Sequence, residues 1–134
     1  MHITRETDYA LRALRALTDG GKKKLDTICE EEQVPKQFCY KILKKLSQGE
    51  YVRIVRGKEG GYFINESCLE KSLFDLIEVL ENGPDISPCL QDSYCCEYRN
   101  KKQGSCGMHD KLAALQEKID NEFKAIKLSS LLSD

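Results

Sequence analysis

Four of the seven cysteines, Cys89, Cys95, Cys96 and Cys106, fall in one polar stretch, PCLQDSYCCEYRNKKQGSCGMH, which ends in His109. Several soft sulfur donors and an imidazole in one glycine-containing loop suggest an inorganic centre. Thiolates are the usual protein ligands of iron–sulfur clusters, and histidine can replace one of them. A tetrahedral zinc site is the main competitor, since several Cys and one His suit it. Structural zinc sites favour paired close spacings, and this loop offers only the Cys106-x-x-His109 half. A disulfide between the adjacent Cys95 and Cys96 is strained and ranks below zinc. Cys29 and Cys39 fall on apolar helix faces and read as small core residues, while Cys68 has no evident role.

The elements around this loop decide what such a centre would control. Thr4 can cap a helix over 4–19, with Tyr9, Ala10, Ala13, Leu14 and Leu17 at helical spacing and Gly20-Gly21 as its stop. A short second helix begins at Leu25 and ends near Gln33. Pro35 suits the first turn of a third helix reaching about Ser47, with Phe38, Cys39, Ile42, Leu43 and Leu46 on its buried side and Gly49 closing it. Tyr51, Val52, Ile54 and Val55 form a strand-like run, and Tyr62-Phe63-Ile64 another, with Gly57, Gly60 and Gly61 in the turn. A fourth helix over roughly 70–82 stops at Asn82-Gly83-Pro84. A last one, roughly 108–126, carries Leu112, Leu115, Ile119, Phe123 and Ile126 as a narrow stripe suited to a seam with a second copy. Leu128, Leu131 and Leu132 then read as an apolar tail folding back. The expected fold class is α+β, mostly helical: a winged helix-turn-helix over 1–66, then a cysteine loop (about 88–109) and a long dimerisation helix over 67–134.

The net charge of −1 is unevenly spread. Residues 34–64 hold seven basic and two acidic side chains, a local +5, whereas residues 65–134 hold eight and thirteen, a local −5. Such polarity fits a polyanion docking on one face. In the third helix Pro35, Lys36, Gln37, Phe38, Tyr40 and Lys41 occupy the turns that meet base edges. Gln37 suits adenine, and Lys41 suits guanine or a phosphate. Lys44 and Lys45 suit backbone phosphates. Arg56, Gly57 and Lys58 form the wing tip, from which Arg56 can enter a narrow minor groove. Double-stranded DNA is the expected partner.

Other classes have little support. Gly57-x-x-Gly60-Gly61 has neither the P-loop nor the dinucleotide spacing. With only His2 and His109 present, there is no Ser/His/Asp set, so catalysis and a small-molecule substrate are not expected. No apolar run approaches the roughly 20 residues that span a bilayer. The opening MHITRETDYALRAL lacks the apolar core of a secretory leader, so a cytoplasmic setting is expected. There thiols stay reduced, which favours metal or redox chemistry over disulfides. A cluster- or zinc-carrying electron-transfer protein with no DNA role is the alternative; the basic third helix and wing weigh against it.

The segments ITRETDYALRAL and VPKQFCYKILKKLSQGEYVRIVRGKEGGYFI, with the cysteines that follow, resemble the Rrf-two superfamily of winged-helix regulators (IscR/NsrR/RirA-like) nearly end to end. The RGxxGGY wing is the most specific part. The resemblance implies a homodimeric repressor or activator with a two-iron or four-iron cluster. Cys89, Cys95 and Cys106 match the family's cysteines, with Cys96 an alternative to Cys95. The gap before Cys106 is longer than the family's. The fourth ligand is His109, as in the two-iron branch, or Asp8 of the partner subunit, as in the four-iron branch.

Overall fold

Thr4 caps the first helix, its hydroxyl accepting the Thr7 N–H at 3.3 Å, and the chain then coils as α1 (Arg5–Leu17). The computed structural model describes residues 3–81 and 85–133, so the stop expected at Asn82-Gly83-Pro84 lies outside the described residues. Helix α2 (Leu25–Glu32) ends on Gln33 in the left-handed region, and α3 (Lys36–Gln48) starts three residues after that. Pro35 is the N-cap of α3 rather than a member of its first turn, and Gly49 is its C-cap. Strands β1 (Val52–Val55) and β2 (Gly61–Ile64) pair antiparallel, Val52 opposite Ile64 and Val55 opposite Gly61. Lys23 adds a bridge to Tyr62, with N–H···O distances of 3.1 and 2.8 Å, so the link between α1 and α2 is stitched to the hairpin.

The wing tip depends on Gly57 and Gly60 for different reasons. Gly57 has φ +103°, a conformation that L side chains rarely adopt. A Cβ on Gly60 would lie 2.2 Å from the Val55 carbonyl oxygen and 2.8 Å from that of Gly57. These contacts are with backbone, so no rotamer change can relieve them.

Beyond the hairpin, a 3-10 turn at Glu66–Glu70 precedes α4 (Leu73–Glu81), which is shorter than the 70–82 expected. Another 3-10 turn, Pro88–Leu90, opens the cysteine segment, followed by α5 (Glu97–Lys101), α6 (Gly107–Lys124) and α7 (Leu128–Leu131). One core joins Ala10, Leu14 and Leu17 of α1 with Ile42, Leu43 and Leu46 of α3, Leu76 and Leu80 of α4, and Leu128 and Leu132. The tail therefore folds back as expected, although Leu131 is 43% exposed.

Phe38 departs from its expected place on the buried side: it is 46% exposed. It lies about 100° around the helix from Cys39, at the edge facing α1, where its ring meets Tyr9 at a centroid distance of 6.1 Å. Cys39 is buried and Cys29 half-buried against the same core. Cys68 is fully buried, and that burial pushes its thiol from an ordinary value near 9 up to about 11. Between those values the unfolded chain loses a proton that the folded chain keeps, so stability falls as pH rises. Chemical denaturation should show the Cys68 contribution intact below about pH 9 and gone above about pH 11. Cys68→Ala should flatten that alkaline decline while lowering stability at neutral pH through the cavity it leaves.

Candidate functional site: a cysteine cavity beside a DNA-reading head

The cysteine segment is moored to α6 at two levels. The Ile86 N–H donates to Gln116 Oε1 at 2.6 Å, and the Gln116 amide donates to Asp120 at 2.7 Å. Nearer the start of α6, Cys106 is the N-cap, its Sγ accepting the His109 N–H at 3.4 Å. A cavity of about 350 Å³ lies there, lined by Cys89, Cys96, Cys106 and His109 together with Tyr98, Arg99, Gly107 and Met108. Cys89 Sγ also sits 3.3 Å from the Ser87 hydroxyl. The Nδ1 of His109 is buried and has no hydrogen-bond partner among the described residues. An enclosed imidazole nitrogen without a partner is costly unless something binds it.

Cys95 does not line this cavity. It is exposed, and its Sγ accepts from the Asn100 side-chain amide at 3.4 Å. The long gap before Cys106 is filled by α5 and a tight return, in which Arg99 Nε donates to the Gly104 carbonyl at 3.1 Å and the Gly104 N–H to that of Arg99 at 2.8 Å. This inserted turn brings Tyr98 and Arg99 to the cavity wall, two residues that spacing alone did not mark. Their signal was the extra length itself, EYRNKK, rich in helix formers.

Asp8 stands apart from the cavity of its own chain. It pairs with Arg12 at 3.3 Å and lines a separate cleft with Leu11, Arg12, Arg15, Leu131 and Leu132. Among the described residues no three Cys, His, Asp or Glu side chains already form a closed metal-binding group. The donors ring a cavity rather than converge on a point.

The expected DNA-reading residues share one face. Pro35, Lys36, Gln37, Tyr40 and Lys41 line a shallow groove with Leu25, and Tyr40 is 56% exposed. Phe38 and Lys41 border a second cleft with Arg5, Glu6, Tyr9 and Lys45. Lys44, Arg56, Gly57 and Lys58 are exposed. Lys36 is held by Asp26 at 2.8 Å and Lys45 by Glu6 at 2.5 Å. Lys41, Lys44, Arg56 and Lys58 have no ion pair among the described residues, so a polyanion would meet these four cations without displacing a partner. Beneath the wing, Lys22 donates to the Glu59 carbonyl.

Three helices, a glycine-tipped hairpin and a free basic stripe define a winged helix-turn-helix protein, a DNA-binding fold. Residues 3–134 match the Rrf2 family, described as iron-dependent transcriptional regulators, and the chain belongs to that family. It is a transcriptional regulator. An Aquifex aeolicus (strain VF5) protein named as an HTH-type transcriptional regulator is 27% identical over 93% of this chain and 87% of its own length. The structure of CymR (YrzC), the global cysteine regulator of B. subtilis, superposes with a TM-score of 0.73 at 18% identity, covering 100% of this chain and 99% of that one. T. potens IscR does so with a TM-score of 0.71 at 18% identity, covering 98% and 86%. At these identities the two structures show a shared fold. No helix among the described residues is long and apolar enough to cross a membrane.

Proposed function

We propose that the protein is a cytoplasmic homodimeric repressor whose operator binding is governed by an iron–sulfur cluster held by Cys89, Cys96, Cys106 and His109. The observation that carries this reading is the cavity whose lining brings together three cysteines, Cys89, Cys96 and Cys106, and His109. A zinc ion needs four donors converging at about 2.0–2.3 Å. The open ring around a volume of about 350 Å³ suits a multi-atom group better. Cys95 in place of Cys96, and Asp8 of the partner subunit in place of His109, are the alternatives this set competes with. His109 as ligand corresponds to a two-iron centre and the partner's Asp8 to a four-iron one.

When bound, the cluster supplies a centre that oxygen, nitric oxide or iron shortage can alter or remove. The chain's own residues do the rest. Cys106 and His109 tie the centre to the start of α6, and Cys89 ties it to the segment leaving α4. Along α6, Met108 and Leu115 are exposed and Leu112 and Ile119 half-buried, an apolar seam for a second copy that exposed Ile126 extends just past the helix end. Residues 1–66 of each copy would then offer α3 to successive major grooves, about 34–36 Å apart. Lys41 and Lys44 would meet base edges and phosphates, while Arg56 and Lys58 reach the flanking groove.

The test pairs anaerobic preparation with two measurements. Visible absorbance with iron and sulfide in the protein supports the reading, and a colourless protein holding stoichiometric zinc overturns it. For DNA, a labelled duplex enriched by the protein from a random-sequence pool should bind with a steep salt dependence. Arg56→Ala should weaken that binding and lower the salt slope by about one while leaving iron content unchanged. An unaltered slope would remove Arg56 from the interface.

A further inference from the structure

Glu81 is the last described residue of α4, and its Oε1 accepts from two hydroxyls at the start of α1. One is Thr4, the N-cap; the other is Thr7, fully buried, at 3.2 Å. A carboxylate is thus seated at the positive end of α1, where the helix dipole favours it. One residue earlier, the Leu80 carbonyl accepts from Lys45 Nζ at 3.5 Å, and the same ammonium pairs with Glu6 of α1 at 2.5 Å. Lys45 lies in the last turn of α3. Two consecutive residues at the end of α4 therefore grip the first turn of α1 and the last turn of the recognition helix. Seven residues beyond Glu81 the chain reaches Pro88 and the cysteine segment, which Ile86 and Cys106 fasten to α6.

We infer that Glu81 and Lys45 are positioning residues that couple the state of the cysteine segment to the pose of α3. The inference rests on the proposed cluster control, which supplies two states for the segment. A rearrangement that moves the end of α4 carries α1 through Thr4 and Thr7, and carries α3 through Lys45. The two helices shift together, because Glu6 joins them to the same ammonium. Exposed ion pairs contribute little stability; the Lys45 contact serves geometry. It also gives Lys45 a role distinct from the phosphate contact its sequence position suggested, since its ammonium is already engaged while Lys41 and Lys44 have no ion pair among the described residues. Coupling of this kind is a difference in DNA affinity between two states, so it is read as a ratio.

The experiment measures the dissociation constant of the enriched duplex for cluster-loaded and cluster-free protein, in wild type, Glu81→Leu, Glu81→Gln and Lys45→Met. Wild type should show a ratio of about tenfold or more, within the usual range of allosteric coupling. Glu81→Leu and Lys45→Met should bring it to within about twofold of unity with iron content unchanged. Glu81→Gln keeps an acceptor for Thr4 and Thr7 and should keep most of the ratio. If Lys45→Met raises both constants equally and lowers the salt slope by about one, Lys45 is a phosphate contact and its coupling role is overturned. A ratio preserved in Glu81→Leu overturns the inference alone, whereas a wild-type ratio of one overturns cluster control and this inference with it.

Discussion

Cys96→Ala, prepared without oxygen, should lose the colour, iron and sulfide of the unaltered protein, and Cys95→Ala should keep them. The two thiols are adjacent in sequence yet face different surroundings. Cys96 lines the cavity with Cys89, Cys106 and His109, whereas Cys95 is exposed and bonded to Asn100. The opposite result would show that the segment turns over when the cluster binds, with Cys95 as ligand. On the proposed reading Cys106 is both a cluster ligand and the N-cap of α6, and substitution can separate the two. Cys106→Ser keeps a side-chain acceptor for the His109 N–H and removes the soft ligand, so the cluster should go while thermal stability of the cluster-free protein holds or rises slightly. Cys106→Ala should lose the cluster and also cost about 1 kcal/mol through the missing cap. Iron and sulfide analysis with a thermal melt of each cluster-free variant reads both effects.

Gly60→Ala should abolish high-affinity duplex binding and lower the melting temperature. The added Cβ would press on the Val55 and Gly57 carbonyl oxygens at 2.2 and 2.8 Å, and both belong to the backbone of the tip itself. Relief requires opening the β1–β2 turn, which would cost about 3 kcal/mol or more and move the melt by roughly 10 °C. Arg56 and Lys58 lose their placement with it, so the DNA effect should exceed that of Arg56→Ala. Iron content should be unaffected, because the cysteine segment lies elsewhere. Gly57→Ala is the useful comparison: nothing lies within 4 Å of its Cβ, and the strain there comes from φ +103° alone. It should lose less stability than Gly60→Ala, by thermal melt in the same buffer.

These variants separate the reading head from the cysteine segment, and Leu80 and Glu81 of α4 are bonded to the head through Lys45, Thr4 and Thr7. Glu81 was not marked by any motif. It is one acidic residue among many, and only its proximity to Thr4 and Thr7 distinguishes it. Long-range pairings of this sort, spanning more than seventy positions in sequence, leave no local periodicity to read.

What the sequence determined by itself is the order of elements and the type of chemistry. Thr4 before an apolar 3.6-residue pattern, Pro35 before another, and glycines between two β-rich runs are local signals, and each acts through the backbone within a few residues. The helix order, the wing and the crowding of thiols before His109 were therefore legible. Phe38 was misplaced because a helical stripe shows which residues share a face but not how far the neighbouring helix covers them, and at that edge α1 meets the ring through Tyr9 and leaves Phe38 exposed. The tertiary structure alone decided between side chains of equal chemistry. Cys95 and Cys96 are indistinguishable as residue types, yet in the extended backbone that enters α5 Cys96 lines the cavity while Cys95 is exposed. Lys44 and Lys45 are likewise neighbours of one kind, yet Lys45 is engaged by Glu6 and Leu80 while Lys44 is exposed with no ion pair among the described residues. Which of two like groups is available depends on what the rest of the chain brings beside it, and that is fixed only when the helices pack.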